Sequence, residues 1–161
     1  MSEVELAIEV LREPSQHRLH AGEAGGPENV IEAVEKFSCD RIGHGVQAAK
    51  SEHAMAAIKE NGVMLEICPT SNIHTGVVQS LETHPLKAFY QKGIPVSINT
   101  DDPMVSNITL TDEYVNVTTK MGFTEEALKS VNRMALEHSF HPNKEGLKKR
   151  LGHLWNEHGR K

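Results

Sequence analysis

Arg41-Ile42-Gly43-His44-Gly45, then Ser51 through Gly62, then Val63-Met64-Leu65-Glu66-Ile67-Cys68-Pro69 is the stretch that decides the fold. The first segment is a short β-type run closed by glycine. In the second, Ser51 is a cap for a helix over 52–60, which Asn61-Gly62 ends. The third is an apolar strand stopped by proline. Strand, helix, strand over so short a span is a right-handed βαβ unit, and such units build parallel sheets.

The same rhythm extends outward. Upstream, Val4, Ala7, Ile8 and Leu11 mark one face of a helix over 2–13, which Pro14 stops. His17-Arg18-Leu19-His20 is a strand running into Ala21-Gly22-Glu23. Pro27 opens a helix whose apolar face is Val30, Ile31, Val34 and Phe37. Downstream, Thr70-Ser71-Asn72 reads as a loop, and Leu81, Leu86, Ala88 and Phe89 mark a helix ended by Gly93. Pro95 to Thr100 is the fourth strand and runs into Asp101-Asp102-Pro103. Helices follow at about 110–121, 125–139 and 144–158, the second capped by Thr124 with Glu125 and Glu126 behind it.

Composition narrows the class. The 161 residues hold 22 acids and 17 bases, a formal charge of -5, so no basic field attracts nucleic acid. Hydrophobic residues are 38% and charged residues 24%, a globular balance. At 4% aromatic, the core must be aliphatic. No apolar run nears the roughly 20 residues of a membrane helix, and residues 1–7 carry no signal-peptide pattern. Cys39 and Cys68 are too few for a disulfide framework, so a cytoplasmic location is expected. The length fits one domain over 1–161 and excludes a complete eight-fold α/β barrel, which needs at least about 200 residues.

The reactive residues sit at strand ends: His20 and Glu23 after the first, His44 between glycines at the second, Asp101 and Asp102 after the fourth. A parallel sheet gathers these ends on one rim. Imidazole and carboxylate are ligands for zinc and similar metals, and a bound metal lowers the pKa of its water to about 7. The flanking glycines let backbone and imidazole approach a ligand closely. This set suits attack of water on an electron-poor carbon, with a histidine to take a proton and a carboxylic acid to give one. Each residue also has a plainer reading. Asp before Pro starts turns, Glu23 lies near a helix N-terminus, and any one of ten histidines can be a solvent-facing residue. Glu66 either orients a histidine or points outward. Ser71 and Asn72 shape a loop or touch the site. His74 and His84 read as loop or helix-start residues, and His138, His141, His153 and His158 as surface histidines away from the rim.

Four motifs together resemble the adenosine deaminase family. They are His20-Ala21-Gly22-Glu23-Ala24-Gly25-Gly26-Pro27-Glu28-Asn29, Arg41-Ile42-Gly43-His44-Gly45, Cys68-Pro69-Thr70-Ser71-Asn72 and Asn99-Thr100-Asp101-Asp102-Pro103. They occur in the family's order, within residues 16 to 140. The resemblance implies a zinc-dependent TIM-type barrel that converts adenosine or 2′-deoxyadenosine to inosine or 2′-deoxyinosine and ammonia. By matched position, His20 and Asp101 are metal ligands for Zn2+. Glu23 is the acid that protonates purine N1, His44 the base and electrostatic partner of the water, and Asp102 the residue that binds N7. Glu23 and Asp102 thus bind substrate. Gly43 before His44 is more like adenosine than adenine deaminases, and no basic cluster for a 5′-phosphate stands near the motifs.

The family's His-x-His pair is missing from the sequence. His17 and His20, three apart, would point to opposite faces of a strand and cannot replace it. The expected architecture is therefore a partial, half barrel. It has about four parallel βα units corresponding to strands five to eight, with extra C-terminal helices. Weak or absent zinc binding by the isolated chain is expected, since catalytic zinc usually has three protein ligands. Expected partners are the nucleoside and a complementing N-terminal half, or a second copy through exposed sheet edges, with no nucleic acid and no membrane. The competing expectations are a truncated, inactive homologue that binds a partner or is inert, and a different metal hydrolase on the same rim.

Overall fold

The computed structural model describes residues 16–156, with side chains as far as residue 152. The helix expected over 2–13 lies outside the described residues. Four strands form one sheet in the order β1 (Arg18–Ala21), β2 (Arg41–His44), β3 (Met64–Ile67), β4 (Val96–Ile98). All three pairings are parallel. Between β1 and β2 runs α1 (Pro27–Glu35), with Pro27 in the first helical turn as expected. A 3-10 turn (Val46–Lys50) and α2 (Glu52–Glu60) join β2 to β3; the Ser51 side chain caps α2 by accepting from the Ala54 amide.

The connection from β3 to β4 differs from expectation. Residues 70–72 are not a loop: Pro69–His74 is a short helix, α3. Proline's fixed φ starts it, and its missing N–H costs nothing at that position. The next helix, α4 (Leu86–Gln91), begins at Leu86, and Leu81 lies outside it. After β4 come α5 (Pro103–Ser106), α6 (Leu110–Met121), α7 (Glu125–Glu137) and α8 (Lys144–Asn156). Thr109 closes a capping box at α6 and Thr124 caps α7.

Register separates the two faces of the sheet. Leu19, Ile42, Leu65 and Val96 stand in one row. Ile42, Leu65 and Val96, with Ile67 and Ile98, belong to the hydrophobic core, against which Leu19 packs; the core also takes Val30 and Val34 from α1, Ile58 from α2, Leu86 and Phe89 from α4, and Val117 from α6. The alternate row on the other face is His20, Gly43, Glu66 and Ser97. Arg18 and Arg41, one pleat earlier, also share that face. Side chains thus alternate between a dry helical layer and a polar face. The fold is α/β with four parallel strands, consistent with part of a barrel.

Candidate active site

At the C-terminal ends of β2 and β4 the backbone turns through the left-handed region at non-glycine residues, His44 with φ 66° and Asp101 with φ 62°. Such conformations cost on the order of 1–3 kcal/mol each and cluster at functional sites. Glycine is needed next to His44. Gly45 has φ +67°, and a Cβ there would lie 2.7 Å from Leu65 Cδ2. Its service to the fold is thus this turn and close packing.

The turns converge on the His44 ring, which is 1% exposed. Its Nε2 lies 3.6 Å from Glu23 Oε2 and 3.8 Å from Asp101 Oδ2. His20 Nε2 is 3.3 Å from the same Glu23 oxygen, and the His20 and His44 ring centroids are 4.3 Å apart. The other Glu23 oxygen accepts from Thr75 Oγ1 at 3.3 Å. Asp101 Oδ2 accepts from Ser71 Oγ at 2.8 Å. Asp102 uses Oδ1 to accept the amides of Met104 and Val105, which caps α5. Of the five residues expected from sequence, His20, Glu23, His44 and Asp101 therefore meet around one point. Asp102 adjoins them as a helix cap, which leaves its Oδ2 with no hydrogen bond from these two amides.

Burial lowers the His44 pKa below the ordinary histidine value, opposed by the charge of Glu23 and helped by that of His20. A neutral ring fits an imidazole that handles a proton or sits beside a cation. The donor atoms of His20, Glu23 and His44 lie within 4.8 Å of one another, as do those of His44, Cys68 and Asp101. Nitrogen and carboxylate donors at this spacing have the right chemistry for a zinc-class cation. His20 and Asp101 each lie beside His44. Cys68 is a weaker donor: burial first, then the Asp101 charge, pushes its thiol up to about 12. A cavity of about 330 Å³ opens beside this point, bounded by Arg18, Glu66, Cys68, Asn99, Asp101 and Leu110. A larger one, about 420 Å³, includes His20 and Glu23 but runs toward Leu19, Ala33 and Phe37 on the helical side of β1. Of the five expected residues, Asp101 alone lines the smaller cavity, while His20 and Glu23 line the larger.

Several contacts were not legible beforehand. Asn72 is fully buried and contacts His44 Nδ1 at 2.9 Å. His84, read as a loop or helix-start residue, precedes α4 and is also buried, with Nε2 3.3 Å from Asn72 Oδ1. Glu113 on α6 is fully buried; one oxygen accepts the Thr70 amide at 3.0 Å and the other has no partner. Burial raises its pKa. It thereby fastens the start of α3, the element that carries Ser71 and Asn72. Pro69 at a helix-start position was the signal that could have exposed α3. Glu66 does neither thing expected of it: it is buried and ion-paired to both Arg18 and Arg41. The structure thus gathers two guanidiniums, but at the strand starts and around a shared carboxylate. His138 is half-buried, bonded to the Met134 and Gly62 carbonyls.

Residues 8–153 match the family described as adenosine deaminase. The chain is 42% identical over 122 residues to an adenosine deaminase of Clostridium acetobutylicum, which covers 76% of this chain and 36% of the relative. It therefore spans about a third of that relative's length. Among solved structures, an adenine deaminase from Arthrobacter aurescens superposes with a TM-score of 0.85 at 22% identity, over 97% of this chain and 51% of the other. A zinc-bound amidohydrolase from Burkhoderia ambifaria gives a TM-score of 0.80 at 23% identity, over 96% of this chain and 44% of the other. At these identities the two structures speak for the fold.

Proposed function

The chain belongs to the adenosine deaminase family of hydrolases, and from that premise we propose that it carries one side of a purine nucleoside deaminase site. The observation that carries this reading is the convergence of Glu23 and Asp101 on the His44 ring, with His20 stacked beside it. In this reading residues 1–161 form a single domain equivalent to strands five to eight of a barrel, in the cytoplasm. Among the described residues no helix is long and apolar enough to cross a membrane.

His20 and Asp101 would hold zinc, with its remaining ligands coming from a partner segment that carries the family's His-x-His pair. When bound, zinc supplies the Lewis acidity that makes water a nucleophile near neutral pH. The protein's own groups then act on adenosine or 2′-deoxyadenosine. Glu23, held by Thr75, donates a proton to N1, which makes C6 electron-poor. Two roles are open to His44 at the water that attacks C6: base, or hydrogen-bond donor. At N7, which can only accept, the Asp102 oxygen not used in capping α5 would donate as the protonated acid. Loss of ammonia from the tetrahedral carbon gives inosine. Gly43 before His44 favours the nucleoside over the free base adenine.

The experiment is to join the chain to the N-terminal half of the Clostridium acetobutylicum relative and follow adenosine by its ultraviolet absorbance. Inosine formation that Glu23→Gln abolishes supports the reading. A joined protein that binds zinc yet leaves adenosine untouched sinks it. A second reading, a non-catalytic homologue that binds a partner, rests on the missing His-x-His pair. Stoichiometric zinc and turnover by the chain alone would exclude that one.

A further inference from the structure

Two buried side chains, His84 and Asn72, link a backbone amide to the ring at the centre of the site. The Leu86 amide, at the start of α4, donates to His84 Nδ1 at 3.1 Å. A backbone N–H can only donate, so this nitrogen carries no proton and the His84 proton sits on Nε2. That Nε2–H faces Asn72 Oδ1 at 3.3 Å. Burial holds His84 down at about 4, so the ring is neutral and has one proton to place. The Asn72 amide is thereby oriented: its oxygen accepts from His84, and its NH2 group points at His44 Nδ1, 2.9 Å away. The opposite orientation would require His84 to accept at both nitrogens, leaving the ring no proton. His44 Nδ1 therefore accepts, and the His44 proton lies on Nε2, the atom that faces Glu23 and Asp101.

We propose that the Leu86 amide sets the tautomer of His44 through His84 and Asn72, so that His44 meets the reacting water as an Nε2–H donor and not as a base at Nε2. His84 and Asn72 are positioning residues. The relay stands on the hydrogen-bond geometry; its meaning for catalysis rests on the deaminase reading above. It chooses between the two roles open to His44: the ring holds the water's oxygen through N–H.

The test is long-range 1H–15N correlation spectroscopy of the imidazoles in the full chain. The expected result is both rings as Nε2–H tautomers, each with an unprotonated Nδ1. In Asn72→Asp a carboxylate replaces the amide and accepts from both sides. A proton should then appear on Nδ1 of His44, while His84, still held by Leu86, keeps its tautomer. A merely structural role for Asn72 would not shift one ring and spare the other. A proton on His44 Nδ1 in the unaltered chain overturns the proposal without recourse to any variant. So does an Asn72→Asp protein with both rings unchanged. The spectrum needs neither zinc nor turnover. A joined barrel that fails to deaminate would leave the tautomers standing, and failure of the relay would leave the deaminase reading standing.

Discussion

The two faces of the sheet obey different rules. On the helical face the in-register row Leu19, Ile42, Leu65 and Val96 packs into an aliphatic core. On the other face, Arg18, Arg41 and Glu66 form an ion cluster, and His20 stands above them with its side chain 54% exposed. The helical face is finished: its stabilisation follows from burial alone. The polar face has charge, strained turns and a partly open rim, and its buried carboxylate relies on two arginines. Stability resides on one side and chemistry on the other.

That contrast can be broken by mutation. The largest loss is expected in the helical layer. Phe89 is fully buried there, and Phe89→Ala should cost about 3–5 kcal/mol in denaturant unfolding. A smaller loss than that from any polar-face substitution would refute the division. Next is acid. Burial holds His84 at about 4, below its unfolded value, so the unfolded chain binds the extra proton. Stability should therefore be intact above about 6.5 and fall as pH drops toward about 4, by on the order of 3 kcal/mol. His84→Gln should flatten that slope in unfolding curves taken across the window. On the polar face, Glu66→Ala leaves two guanidiniums without their shared carboxylate. Because Arg18 is half-exposed and can rehydrate, the cost should be about 1–3 kcal/mol, below that of Phe89→Ala. The smallest effect belongs to the periphery. Ser51→Ala removes the cap of α2 and should cost about 1 kcal/mol, read as a shift in the denaturation midpoint.

The helical face was the more legible from sequence. Apolar spacing and punctuation located β1 to β4, the Ser51 and Thr124 starts are local chemistry, and alternation of strands with helices pointed to a parallel sheet. The site was legible where residues sit at strand ends: His20, Glu23, His44 and Asp101 meet as the rim argument requires. What escaped is the support behind it. Asn72 touches His44 across 28 positions, and Glu113 reaches Thr70 across 43. Such pairings come from how α3 and α6 pack, and no local pattern encodes them. The misreading of 70–72 as a loop had the same root. A six-residue helix offers too little periodicity to recognise, and polar Ser71 and Asn72 are buried against their usual preference.

In the proposed reading this rim supplies one side of a zinc site and needs donors from elsewhere to complete it. Zinc content and affinity of the purified chain, measured alone and then joined to a segment bearing the His-x-His pair, test it most directly. The account expects weak, substoichiometric zinc in the chain alone. It expects one tightly held ion per joined molecule, lost in His20→Ala and in Asp101→Ala. One tightly bound zinc per chain without the added segment, or a joined protein whose zinc survives both substitutions, would contradict it.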